Sequence, residues 1–111
     1  MIFQLEREEP FTLSYLSVEE DRNSNGFVHG GVIFHLCDEA VGRCVVASGR
    51  GGAASDASIH YYRPARIGER LTAAVQPRKL GRRLGVYLVE VRDPQDRLMA
   101  DGLFTIAFSE P

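Results

Sequence analysis

Asn23-Ser24-Asn25-Gly26-Phe27-Val28-His29-Gly30-Gly31-Val32-Ile33-Phe34-His35-Leu36-Cys37-Asp38 is the stretch on which the reading of this chain turns. Its first half is rich in turn formers, and its second half opens a helical pattern. Val32, Ile33, Leu36, Cys37, Ala40, Val41, Cys44 and Val45 recur at helical spacing, a stripe wider than a surface helix needs. Such a helix is expected to be largely enclosed and to stop near Ser48-Gly49-Arg50-Gly51-Gly52, where glycine supplies a terminus. Gly30 and Gly31 leave amide N–H groups uncovered at the helix start, where unpaired donors and the helix dipole favour negative charge. That is a place to stabilise an oxyanion. Asp38, inside the helix, brings a carboxylate able to act as base or nucleophile. Each of these has a plainer reading: a tight turn for Gly30, a loop amide bonding its own backbone for Asn23, and the wet side of a helix for Asp38. Glu39 beside it can pair with Arg43 or His35 at helical spacing.

Outward from this stretch the chain reads as strand. Residues 11–18 alternate at period two, and 19–26 are a polar loop. After the helix, strands are expected over 53–62, 69–78, 85–91 and 98–108, joined by short connections, with Asp93-Pro94-Gln95-Asp96 as a turn. The last strands suit an antiparallel meander. One central helix against about five strands is an α+β layer architecture, and 111 residues without linker or repeat suit a single domain over 1–111.

Composition narrows the function classes. The formal charge is −2, which gives no general pull towards nucleic acid or membrane, and neither is expected as a partner. Residues 63–83 nevertheless hold Arg63, Arg66, Arg70, Arg78, Lys79, Arg82 and Arg83 against Glu69 alone. A local basic field of this kind suits a phosphorylated ligand, and equally a solvated sheet edge. Cys37 and Cys44 lie two helical turns apart on one face and read as core thiols of a reducing compartment. The charged start Met1-Ile2-Phe3-Gln4-Leu5-Glu6-Arg7-Glu8 does not resemble a leader, and no apolar run approaches a membrane span, so a cytoplasmic location is expected. His29, His35 and His60 show no ligand spacing, and no metal site is expected. No Gly-x-Ser-x-Gly elbow occurs, and Gly49-Arg50-Gly51-Gly52 lacks the lysine and hydroxyl of a phosphate loop.

The order strand, Asn23-x-x-Gly26-x-x-His29-Gly30-Gly31, helix bearing an acid, then four strands resembles the hotdog-fold acyl-CoA thioesterases, in their PaaI-like branch. The Tyr62-Arg63-Pro64 strand end and Gly81-Arg82-Arg83-Leu84-Gly85-Val86-Tyr87 add to the resemblance, which covers residues 11–108. The resemblance implies that Asp38 activates water or attacks the thioester carbonyl, and that the Gly30 amide polarises that carbonyl. It implies that Asn23 helps hold the carbonyl or the water, that His29 supports the turn, and that Ser55 stands where some members use Ser or Thr. It gives the basic patch a partner. Coenzyme A carries phosphates that Arg63, Lys79, Arg82 and Arg83 would meet, as part of the substrate and with no separate cofactor.

Elementary geometry bears on this. Asp38 lies eight residues beyond Gly30, about 12 Å along a helix axis, so one carbonyl cannot touch both groups of one chain. Either Asp38 is not catalytic, or a second subunit supplies it. The family's two-fold dimer, with antiparallel helices and sites at the interface, meets the second condition; a homodimer is therefore expected, with a tetramer left open. Two rivals stand beside this reading: a hydratase or dehydratase on the same fold, which needs a paired His and acid, and a non-catalytic acyl-CoA-binding protein.

Overall fold

The computed structural model describes residues 1–109. They form β1 (Phe3–Glu8), β2 (Phe11–Leu16), a 3-10 turn at Glu19–Asp21, α1 (Gly30–Ala47), β3 (Gly52–Tyr61), β4 (Arg70–Leu80), β5 (Leu84–Arg92) and β6 (Leu98–Phe108). The strands make one antiparallel sheet in the order β1-β2-β4-β5-β6-β3, with the helix across one face. This is the anticipated α+β hotdog arrangement, with six strands in place of about five. The additional strand is β1. Its Phe3 and Leu5 alternate with polar residues only briefly before the pairing shifts register between Leu5 and Arg7, and most of it is exposed, so no clean hydrophobic period marks it.

The core lies between α1 and the middle of the sheet. Ile33, Leu36, Cys37, Ala40, Val41 and Val45 form the buried helix face. Leu13 and Tyr15 of β2, Leu71, Ala73 and Val75 of β4, Tyr87, Val89 and Val91 of β5, and Phe104 and Ile106 of β6 meet it. The period-two alternation therefore resolves with Val86, Leu88 and Glu90 on the outer face. Burial pushes the Cys37 thiol up to about 12, with nearby Asp38 and Asp101 adding to it, and both cysteines are free.

The helix is not enclosed within one protomer. Gly31, His35, Asp38, Gly42 and Val46 are exposed along one stripe, Val46 at 69%. A Cβ added at Gly31 or Gly42 would meet nothing within 4 Å. The surplus apolar width of the stripe is this open face.

The sheet has two free edges with different chemistry. β1 carries Glu6, Arg7 and Glu8 together with its register shift, devices that discourage strand addition. β3, ten residues of Gly-Ala-Ala-Ser-Asp-Ala-Ser-Ile-His-Tyr, is small, sparsely charged and almost wholly exposed. Beyond Val75, β4 no longer pairs with β2, and residues 76–80 become an edge of the sheet, still paired with β5, which pairs with β6 on its other side. Pro77 is tolerated there because that side has no ladder to break. Arg78, Lys79, Arg82 and Arg83 sit on this edge and the turn that follows it.

Candidate active site

The turn before α1 is held mainly by backbone and carboxylate contacts. Asn23 Oδ1 accepts from the amides of Asn25 at 2.9 Å and Phe27 at 3.0 Å, and Gly26 adopts φ +86°, a conformation that favours glycine. Asn23 thus bonds its own backbone through its carbonyl, which leaves only its Nδ2 group for a ligand. Buried Asp21 ties the loop to the sheet: its Oδ2 accepts from the Tyr15 hydroxyl at 2.5 Å and the Val18 amide at 2.9 Å. Its main-chain oxygen accepts from the His29 amide at 2.8 Å. Burial, and then the Asp21 carboxylate, push the Tyr15 phenol up to about 12. Sequence reasoning passed over Asp21 because an acid in a polar loop carries no signal of its own.

His29 is the residue before the helix, and its side chain caps nothing. Its carbonyl accepts from Val32 at 3.0 Å and Ile33 at 3.3 Å. The amides of Gly30 and Gly31 have no hydrogen-bond partner among the described residues. Gly30 opens into a cleft of about 460 Å³ with Asn23, Phe27, Tyr61, Tyr62, Arg63 and Pro64 among its walls. Phe34 lies apart from this cleft and packs against the core, on Phe104 at 5.4 Å between ring centroids. Tyr61 is bound to the turn itself: its hydroxyl donates to the Gly30 carbonyl at 2.8 Å.

Asp38 is exposed and opens into a different cleft, about 700 Å³, bounded by Glu39, Gly42, Arg43, Val46 and the start of β3 at Gly52, Ala53 and Ala54. Glu39 takes the ion pair expected of it, with Arg43 Nε at 2.6 Å, which leaves the Asp38 carboxylate unengaged. Ser55 follows these strand residues at the bulge where the β3–β6 register shifts between Ala54 and Asp56. Its Oγ makes only a long 3.4 Å contact to the Thr105 carbonyl. Gly30 and Tyr61 therefore mark one end of β3, and Asp38 and Ser55 the other.

The four basic residues named for coenzyme A do not converge within a protomer. The Tyr62 and Arg63 amides bond to Met99, at the start of β6, whereas the Phe108 amide, at its end, bonds to the Arg83 carbonyl. β6 spans 11 residues, which separates Arg63 from Arg83 by about 30 Å at strand rise. The sequence neighbourhood of the basic run hid this, because a whole strand, β4, runs between Arg63 and Arg83. Lys79, Arg82 and Arg83 stay together, and a residue missed from sequence fixes their turn. Arg50 donates to the Gly81 and Arg82 carbonyls at 3.0 and 2.6 Å, with its guanidinium 3.5 Å above the Phe108 ring.

Among the described residues no cluster of His, Cys, Asp and Glu has the geometry to hold a metal ion, and no helix is long and apolar enough to cross a membrane.

Comparison with known proteins bears on the fold and the family. The chain is 35% identical over 78 residues to the acyl-coenzyme A thioesterase PaaI of Escherichia coli, covering 70% of this chain and 56% of that protein. The solved PaaI structure from Escherichia coli superposes with a TM-score of 0.87 at 27% identity, covering 90% of this chain and 72% of that one. A Streptococcus mutans protein crystallised with acetyl-CoA superposes with a TM-score of 0.86 at 27% identity, covering 89% and 80%. The chain spans about half the length of the curated relatives it matches. The family model described as Thioesterase superfamily matches residues 25–100, from the turn that opens α1 to the start of β6, and the chain belongs to that superfamily.

Proposed function

We propose that this chain is a single-domain hydrolase of acyl-CoA thioesters whose active site is shared between two copies. The observation that carries the reading is the opening of Gly30 and Asp38 into separate clefts at opposite ends of β3. β3 is the unprotected edge of the sheet. Antiparallel pairing of β3 with its two-fold copy would bring the Tyr61 end of one strand beside the Gly52 end of the other. That single operation sets the Gly30 amide of one protomer beside Asp38 of the partner subunit. It also brings Arg63 to the same end as the partner's Arg83, which answers their separation within a chain. The open α1 stripe, with Gly31 and Gly42 free of contacts, leaves room for the second helix.

In the reaction the thioester oxygen points at the unpaired Gly30 N–H, with the Asn23 Nδ2 group at hand. Asp38 of the partner either takes a proton from water, which attacks the carbonyl carbon, or attacks it directly to give an anhydride that water opens. Negative charge collects on the oxygen at Gly30 as the tetrahedral centre forms. Its collapse expels the coenzyme A thiolate, which regains a proton, and leaves a free acid. His29 and Ser55 line the turn and the Asp38 end of β3, and Arg63, Lys79, Arg82 and Arg83 offer cations to the substrate phosphates. A coupled thiol-trapping assay over a panel of acyl-CoAs tests this. Thiol release by the unaltered protein supports it, and binding without release refutes it in favour of an acyl-CoA-binding role. The hydratase alternative lacks a second histidine in the Gly30 cleft, since His35 lies against Phe3 and His60 opens into a separate cleft with Arg78, Leu88 and Asp101.

A further inference from the structure

We propose that Tyr61 is a positioning residue for the oxyanion-binding turn, acting through the Gly30 carbonyl; this rests on the hydrolase reading above. Tyr61 closes β3 and is 48% exposed, so its ring contributes little to the core. Among the described residues the hydroxyl has one partner, the Gly30 carbonyl oxygen at 2.8 Å. The ring lies flush on the glycine: a Cβ at Gly30 would stand 3.1 Å from the ring Cζ and 3.3 Å from the hydroxyl oxygen. Glycine at position 30 and tyrosine at position 61 are thus complementary, and either alone would be unremarkable.

The need for such a contact follows from the turn. Two consecutive glycines begin α1, the preceding His29 provides no side-chain cap, and the first helical turn has no ladder to hold its amides. Left to itself this segment would fray. The Gly30 carbonyl and the Gly31 N–H belong to one planar peptide, so holding the oxygen also fixes the direction of the hydrogen. A hydroxyl donated into the carbonyl polarises that peptide and strengthens the Gly31 amide as a donor. Burial, followed by the influence of Cys37, raises the Tyr61 phenol above its ordinary value, so it remains a donor at neutral pH. The hydroxyl therefore preorganises the Gly31 donor directly and, by anchoring the residue, steadies the adjoining Gly30 donor, an effect felt where charge develops on the substrate oxygen rather than in substrate binding.

Tyr61→Phe keeps the ring and removes the donor. With acyl-CoA substrates in a thiol-release assay, kcat is expected to fall about tenfold while KM stays within about twofold. Amide order parameters of Gly30 and Gly31, from NMR relaxation, are expected to fall while the melting temperature barely moves. A kcat within about twofold of the unaltered protein, a loss carried wholly by KM, or unchanged order parameters at both glycines overturns the proposal. Asp38→Asn measured in parallel separates the two levels. If it abolishes turnover while Tyr61→Phe does not, only the role of Tyr61 falls. If the unaltered protein releases no thiol, the hydrolase reading falls and takes this inference with it.

Discussion

Gly30 and Asp38 share one helix, yet they open into different clefts, the first beside Tyr61 at the end of β3 and the second beside Gly52 at its start. On the proposed reading each cleft is half of a hydrolytic site, and a second copy joins the two.

Asp38→Asn removes the proposed base or nucleophile without touching the fold, since the side chain is exposed and outside the core. Turnover is expected to fall by about two decades or more. Circular dichroism and sedimentation should be unchanged; near-normal turnover would remove Asp38 from the mechanism.

Gly42→Arg tests the open helix face. A side chain there meets nothing within 4 Å in the protomer. Replacing a mid-helix glycine favours the helix by up to about 1 kcal/mol, so the isolated chain should lose no stability. The expected outcome is a shift to monomer in analytical ultracentrifugation with loss of activity. A stable, active dimer would place the interface elsewhere.

Arg50→Ala should loosen the basic turn by deleting two hydrogen bonds and the stack on Phe108. A stability loss on the order of 1 kcal/mol is expected in urea titration, with a raised KM. Arg82→Ala with Arg83→Ala, by contrast, should raise KM and flatten its salt dependence while leaving stability unchanged, because both residues are exposed.

Much of this was legible in the sequence, and the reasons differ by element. The alternation of Leu71, Ala73 and Val75 and of Tyr87, Val89 and Val91 marked β4 and β5, because a half-buried strand must alternate. The helix showed through its stripe for the same reason. β1 did not, because an exposed edge strand is under no such demand. The Asn23–Gly31 turn was readable because unpaired amides and consecutive glycines are chemically conspicuous. Asp21, Arg50 and the Tyr61 hydroxyl were not, since each acts on a carbonyl, an amide or a hydroxyl brought near only by the fold. The separation of Arg63 from Arg83 was hidden because adjacency along the chain says nothing of the strands between them.

Tyr15 and Asp21 give a pH dependence. The Tyr15 phenol sits near 10 when free and is pushed up to about 12 in the fold, first by burial and then by Asp21. The folded state holds that proton more tightly, so this contribution is complete below pH 10 and is lost as pH rises towards 12. Tyr15→Phe should abolish this alkaline component and cost about 1–3 kcal/mol at neutral pH by leaving buried Asp21 short of a donor. Denaturant titrations of both proteins at neutral and alkaline pH measure this.

Mixing two inactive variants tests the shared site most directly. Asp38→Asn lacks the acid. Gly30→Pro removes the amide hydrogen at a first helical position and also presses a Cβ on the Tyr61 ring, so the turn half of the site is lost while Asp38 of the same chain is untouched. Each variant alone should be inactive. After co-refolding, half of the dimers are mixed and each carries one intact site, so about a quarter of the unaltered activity is expected to return. Activity no greater than the sum of the two variants would contradict a site built from two chains.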